Sequence, residues 1–465
     1  MRISFDLRSR LLIGLFATLV CGHLQSLEGA ESLLLWKVGT ASVVITPEKS
    51  MWMAGYAARD KPSEGMVHDL HAKAIAFEDK EGTRLVIVTL DLISITRDLR
   101  NHVEKVAGEK YQLPPEALLI NASHTHCGPE LRPNKVYLPD ERAEQCREYV
   151  DALEKKLVIL VGQALENLAP ASLSYTHARA GFAMNRRTPT ERGVRNHPYP
   201  DGPVDHDVPV LLVNDAKKQL KAVLFGYACH STTLSFYQFC GDYAGFAKRY
   251  VEEAHPGVMA LFMAGCGGDQ NPYPRRELEL CMNHGRALAN AVETALETYP
   301  KPVRGPLRLA LDEVTLQFAE PPSRKQLENE AQSKNRWEKR HAEGLLKELD
   351  DAGKIRTTYT VPIQVVRFGE DLVLAALPGE VVIDYALRFK SELAGPAVWV
   401  AGYCNDVFGY LPSLRVLEEG GYEGGGAMRY TSFPGPFAPS VEKLVVDKVH
   451  ELAKETKVHV DAGSQ

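Results

Sequence analysis

Apolar residues recur along this chain in two rhythms. Short runs dense in Val, Ile, Leu and Phe, bounded by turn residues, predict strands. They lie at Trp36 to Ile45, Ala72 to Phe77, Arg84 to Leu90, Leu118 to Ser123, Pro209 to Val213, Ala222 to Tyr227, Val258 to Met263, Val361 to Phe368 and Leu372 to Leu377. Longer stretches with apolar positions three and four apart predict helices. These are Arg142 to Leu168, with Tyr149, Leu153, Leu157, Leu160 and Leu165 on one face, then Tyr243 to Glu253 and Leu278 to Thr298. Pro322 to Gly353 is also helical in pattern, but so charged that it reads as a solvated surface helix. Strands and helices interleave without an internal repeat or a low-complexity linker. The expected fold class is therefore mixed α/β (α+β), with mixed sheets surrounded by helices, in one unit from about residue 35 to the end.

Composition narrows the class of protein. The chain of 465 residues is 45% hydrophobic and 25% charged, which excludes disordered and fibrous proteins. A net charge of −6 argues against a nucleic-acid partner, which needs a basic face. Arg2, Arg8 and Arg10 precede the apolar run Leu11 to Val20, the pattern of an export signal too short to span a bilayer. The expectation is a signal peptide over residues 1–30, a single domain over 31–465, and a secreted or periplasmic location. No later stretch has the apolar length of a transmembrane segment. No C-x-x-C pair occurs, which argues against a zinc-thiolate cluster. Export permits disulfides, but the seven cysteines after Cys21 leave at least one thiol unpaired.

Several apolar strands run directly into chemistry-bearing residues. Leu118 to Ser123 ends at His124-Thr-His126, two imidazoles on the same side at strand spacing. They are equally well read as nitrogen ligands for zinc or as surface histidines before a Gly-Pro turn. Asn121 starts an N-x-S sequon, but a strand end beside a suspected site argues against a sugar there. Ala222 to Tyr227 leads to His230, by itself a structural histidine as readily as a ligand. Leu374 to Leu377 leads through Pro-Gly to Glu380, which alone reads best as a carboxylate at the start of a helix over Val381 to Phe389. Cys266-Gly-Gly-Asp-Gln-Asn-Pro272 is either a plain turn or a loop whose backbone amides face an oxyanion. Tyr410, and Tyr422 in a glycine-rich stretch, would be packing residues on their own.

Taken as an ordered set, these motifs resemble the neutral/alkaline non-lysosomal ceramidases, zinc amidases that cleave the N-acyl bond of ceramide. The resemblance runs from Gly39 to Pro47 and Met53 to Tyr56 through His124-Thr-His126, Asn185-Arg186, Val204 to Asp207, Gly241 to Gly245, Gly268-Asp269, Pro378-Gly-Glu380 and Tyr410 to Tyr422-Glu-Gly424. It covers nearly all of the chain after the leader. It implies the family's catalytic-domain fold, without its C-terminal immunoglobulin-like domain. It also implies that His124, His230, Glu380 and Tyr410 bind Zn2+, and that His126, Arg186 and Tyr422 line the reaction centre. Arg187 is the neighbouring alternative to Arg186. One departure matters: the family's Gly-Asp-x-Ser-Pro pattern has Asn271 in the serine's place. Asparagine cannot accept an acyl group, so a serine-dependent route is closed.

The expected chemistry is then attack by zinc-activated water on an amide carbonyl. Arg186, Tyr422 and the Asn271 amide are expected to stabilise the oxyanion, and His126 to move a proton to the leaving amine. Asp91 and Asp242 are candidates either for orienting the imidazoles or for structural capping. The expected partner is a small-molecule or lipid amide, with at most transient contact with a membrane surface. Two other readings remain open at this point: an esterase or phosphoesterase using the same metal, and a zinc-containing binding protein with reduced catalysis.

Overall fold

The architecture was obtained as a computed structural model that describes residues 35–132, 140–393 and 395–457. The leader expected over residues 1–30 lies outside them. The larger sheet contains β1 (Trp36–Val44), β2 (His71–Glu78), β3 (Arg84–Leu90), β4 (Leu118–Ala122), β5 (Ala169–Arg179), β6 (Asp207–Asp215), β7 (Leu220–Tyr227) and β8 (Met259–Ala264). Their order is β8-β7-β6-β5-β1-β2-β3-β4, with Lys301–Val303 pairing to β5 at one side. The β3–β4 and β7–β8 pairs are parallel. The smaller sheet has β9 (Leu307–Gln317), β10 (Thr358–Phe368), β11 (Leu372–Ala376) and β12 (Ala397–Ala401) in that order, with β11 and β12 parallel.

The two sheets pack face to face between two layers of helices. On the outer face of the larger sheet lie α1 (Arg97–Tyr111), α2 (Asp140–Glu166), α3 (Asp242–Ala254) and α4 (Leu278–Leu296). A helical pair, α5 (Arg324–Glu330) and α6 (Arg336–Ala352), precedes β10. On the outer face of the smaller sheet lie α7 (Ile383–Glu392) and α8 (Val441–Glu455). Strand sequences follow from this layering. In β2, Ala74 and Ala76 pack under the helices while Ile75 and Phe77 face the second sheet. In β11, Val373 and Ala375 face α7 and α8, and Leu374 and Ala376 face the larger sheet. A strand buried on both faces must be apolar throughout, which is why these runs carry no alternation.

The mixed α/β fold class expected from the sequence is the one observed. The charged stretch 322–353 differs from expectation. It is two capped helices, not one, with a small core of Leu327, Ala331, Ala342, Leu345 and Ile355. All seven cysteines among the described residues are free and buried. No helix among the described residues is long and apolar enough to cross a membrane.

Asn121 joins the two sheets at their shared end. Its amide accepts from Ala264 N at 2.9 Å and donates to Gly402 O at 2.7 Å. Fully buried, it is no acceptor for a sugar. Asn121→Ala leaves both backbone groups unpaired in the interior. It is expected to cost about 2–4 kcal/mol of stability, measured by urea denaturation.

Candidate active site

The carboxyl ends of β3, β4, β7, β8, β11 and β12 converge at this junction, and each delivers a loop to one cleft. Ligand sites in open α/β sheets commonly form outside the carboxyl ends of strands. Leaving β4, the chain turns sharply at His124, whose φ is 59°. Tyr403 and Asn405, after β12, are left-handed too, at 54° and 60°. Such conformations are costly for non-glycine residues and persist where the surroundings impose them. Here Asn405 Oδ1 accepts from Ile120 N at 3.0 Å, and its Nδ2 donates to Gln364. Gly267 and Gly268 let the turn after β8 close onto its neighbours. A Cβ on Gly268 would lie 2.6 Å from Glu380 O, and one on Gly267 2.6 Å from Cys229 N.

These loops bring His124, His126, His230, Glu380 and Tyr410 to one point. His124 Nδ1 donates to Ile93 O at 2.7 Å, and His230 Nδ1 donates to Gly267 O at 2.6 Å. In the neutral ring, a proton held on Nδ1 by such a carbonyl leaves Nε2 free to ligate a metal. The two Nε2 atoms lie 3.2 and 3.1 Å from the same carboxylate oxygen, Glu380 Oε2. His126 Nε2 is 3.2 Å from His124 Nε2, and the Tyr410 hydroxyl is 3.4 Å from His230 Nε2. Glu380 and Tyr410 are side by side because the two-residue strands Glu380–Val381 and Tyr410–Leu411 pair in parallel. Helix α7 starts only at Ile383, with Asp384 as the acid of its first turn. The helix-start reading of Glu380 is thereby replaced.

Protonation fits a cation. Burial, and then the Arg186 charge, drops His230 to about 3. Burial and the neighbouring imidazoles hold His126 well below its ordinary range. Burial pushes Glu380 up, but His124 and His230 outweigh it and hold the carboxyl well below its usual value. Neutral imidazoles and an ionised carboxylate are the forms that ligate metals. Four donors about 2.0–2.1 Å from one tetrahedral ion lie roughly 3.3 Å apart. Among His124, His230, Glu380 and Tyr410, the His124–Glu380, His230–Glu380 and His230–Tyr410 spacings of 3.2, 3.1 and 3.4 Å are close to that edge length. The residues therefore fit a metal of the zinc type.

A second shell of charge surrounds Tyr410. Arg186 Nη2 donates to the Tyr410 hydroxyl at 2.9 Å, Nη1 to Asn271 Oδ1 at 3.2 Å and Nε to Glu423 at 2.8 Å. Arg187 points elsewhere, to Glu423, Glu419 and the carbonyl of Gly420, so Arg186 is the arginine beside the cluster. Strand pairing places it there: 270–272 runs antiparallel to 183–185. Asn271 also accepts from Thr232 at 3.1 Å, and its Nδ2 faces the Tyr273 hydroxyl. Its amide donor is thus turned away from the imidazoles. Tyr422 is 39% exposed on the cleft wall, its ring 5.4 Å from that of Tyr410.

Readings that the sequence left open are decided in favour of the structural alternative. Asp91 and Asp242 do not touch the imidazoles of the cluster. Asp91 binds Lys248 at 2.5 Å and His71 N, while Asp242 caps Thr233, Leu234 and Tyr243. Backbone carbonyls of Ile93 and Gly267 take the orienting role. The turn at 266–272 has no amide array for an oxyanion, because Gly267, Gly268 and Gln270 donate to backbone carbonyls. Sequence reasoning assigned no role to Glu423, although it lies in the quoted Tyr-Glu-Gly motif. Buried at 2% exposure between two arginines, it holds both.

The family model of the neutral/alkaline non-lysosomal ceramidases, N-terminal region, matches residues 36–276. This chain belongs to that family. Among curated relatives, neutral ceramidase 1 of Arabidopsis thaliana is 26% identical over 289 residues, which cover 59% of this chain and 37% of that one. Neutral ceramidase A of Dictyostelium discoideum is 24% identical over 263 residues, 52% of this chain and 36% of that one. The matched stretch thus spans little more than a third of these relatives. In fold, the chain is similar to the crystal structure of neutral ceramidase from Pseudomonas aeruginosa. The TM-score is 0.70 at 20% identity, over 93% of this chain and 76% of that one. The family match ends before Glu380, Tyr410 and Tyr422.

Asp269, in the Gly-Asp turn, ties the site to α7 by accepting from Ile383 N and Asn185 Nδ2, each at 3.0 Å. Burial and the charge of Asp384 push it up to about 6 from an ordinary 3.8. Between those values the folded state keeps a proton that the unfolded chain has lost, so this contribution to stability falls as pH rises. The stability advantage of wild type over Asp269→Asn is expected to shrink by about 2–3 kcal/mol between pH 4 and 7, measured by denaturation across that range.

Proposed function

We propose that this chain is a secreted zinc-dependent amidohydrolase that cleaves the C–N bond of an N-acyl lipid or related amide. The observation that carries the reading is the convergence of four groups of metal-ligating type at one point. The Nε2 atoms of His124 and His230 lie 3.2 and 3.1 Å from Glu380 Oε2, beside the cleft. A cation held between them would satisfy all three at once.

His124, His230, Glu380 and Tyr410 would hold the ion. Bound zinc supplies a polarised carbonyl and a water whose pKa falls to about 7. The chain's own residues do the rest. His126, with Nε2 at the cluster and Nδ1 unpartnered among the described residues, carries a proton to the departing amine. Arg186 stabilises developing negative charge through the Tyr410 hydroxyl, and Tyr422 does so from the cleft wall. Asn271 acts through Arg186, which it holds in place. With no nucleophile at that position, the acyl group passes directly to water.

Purified protein is expected to contain one zinc per chain by elemental analysis, and His230→Ala to lose both the metal and amide hydrolysis. Arg186→Lys keeps the metal and lowers kcat by about 10²–10³-fold. Absence of zinc from the pure protein, or an ester cleaved where the matched amide is not, would overturn this assignment.

A further inference from the structure

A buried tyrosine outside the proposed ligand set is tied to three of its members. Tyr403 follows β12, is fully buried and has a left-handed backbone, with φ of 54°. Its main chain joins two of the loops that build the site. Its carbonyl accepts from Ala122 N at 3.1 Å, two residues before His124, and its amide donates to Gly379 O at 2.9 Å, next to Glu380. Those bonds impose a backbone conformation that is costly for tyrosine. Its side chain reaches both imidazoles. The phenol ring lies 4.6 Å from the His124 ring, centroid to centroid, with the planes 33° apart. It meets the His230 ring at 90° and 6.2 Å, and its hydroxyl lies 3.5 Å from His230 Nδ1.

A hydrogen bond at Nδ1 fixes one corner of an imidazole and leaves the ring able to swing about that corner. For His124 that corner is held by Ile93 O, and the tilted face of Tyr403 bounds the swing. The rings of His126 and His230 meet His124 in T-shaped contacts, so neither covers its face as Tyr403 does. For His230 the corner is held by Gly267 O, and the Tyr403 hydroxyl is a second polar group beside the same nitrogen. Ligands of a metal must be held within roughly 0.5 Å of their working positions. Anchoring each ring at one atom does not achieve this; a neighbour packed against the ring does.

We propose that Tyr403 is a positioning residue for the metal centre: its ring holds the His124 imidazole and its hydroxyl the His230 imidazole, so that both Nε2 atoms stay aimed at Glu380. The proposal rests on the metal reading of the site and adds to it a residue that orients ligands without being one.

The test measures zinc affinity by competition with a chelator, and the visible absorption of the cobalt(II)-substituted protein, for the full chain and the variants Tyr403→Phe and Tyr403→Leu. Neither readout requires turnover. Tyr403→Leu is expected to weaken zinc binding by about 10–100-fold and to shift the cobalt bands, because His124 loses the face that bounds it. Tyr403→Phe keeps the ring and loses only the contact with His230, so it is expected to weaken binding by about three- to tenfold with a smaller shift of the bands. Urea denaturation of the metal-free proteins separates this role from a structural one. A merely structural tyrosine lowers stability while the folded variant keeps wild-type zinc affinity and cobalt spectrum, and that result overturns the proposal. Should Tyr403→Leu not fold, wild-type affinity and an unchanged spectrum in Tyr403→Phe overturn it. A wild-type chain that takes up neither zinc nor cobalt overturns the metal reading, and the positioning role with it; variants that bind like a metal-competent wild type overturn the positioning role alone.

Discussion

Two backbone carbonyls decide what this site can be. Ile93 O and Gly267 O each take the Nδ1 proton of a histidine, and that leaves the opposite nitrogen of each ring bare. Once both bare nitrogens and the Glu380 oxygen are aimed at one another, their mutual repulsion is relieved by positive charge. Placing the two carbonyls is therefore the main task of the surrounding fold. Ile93 follows β3, and Gly267 sits in the turn after β8, whose close contacts leave no room for a Cβ.

The junction between the sheets serves the same end. Asn121 bonds across it, and isolated bridges join Asn121 to Cys404 and Gly265 to Ala401. The loops after β4 and β12 are thereby held against each other in backbone conformations that neither would keep alone. Residues separated by most of the chain in sequence, such as His124 and Tyr410, become neighbours because strands of different sheets end at the same place.

Much of this was legible in the residues. The strands buried on both faces stand out as continuous apolar runs, and His124, His230 and Glu380 each follow one of them. What was not legible depends on partners distant in sequence. Strand β5 carries Ser, Thr, His and Arg among its apolar positions, so its period is blurred, and β9 alternates only weakly. Asp91 and Asp242 are carboxylates near the right strands, yet a lysine and free backbone amides claim them. Carbonyl groups that orient imidazoles have no side-chain signature at all. Asn271 was read as a donor from its amide, but which end of an amide faces the centre is set by its neighbours, here Arg186 and Thr232. The charged stretch at 322–353 hid its division into two helices because the pair packs around only a small core of its own.

Glu423 has a mechanical consequence. A single buried carboxylate clasps Arg186 and Arg187 and lies in the glycine-rich segment that roofs the cleft. Peeling that segment away would strand two guanidinium ions in the protein interior, which is strongly unfavourable. That part of the lining is thus held in place whether or not anything is bound beside it. The arginine that braces the reaction centre is in place before a guest arrives.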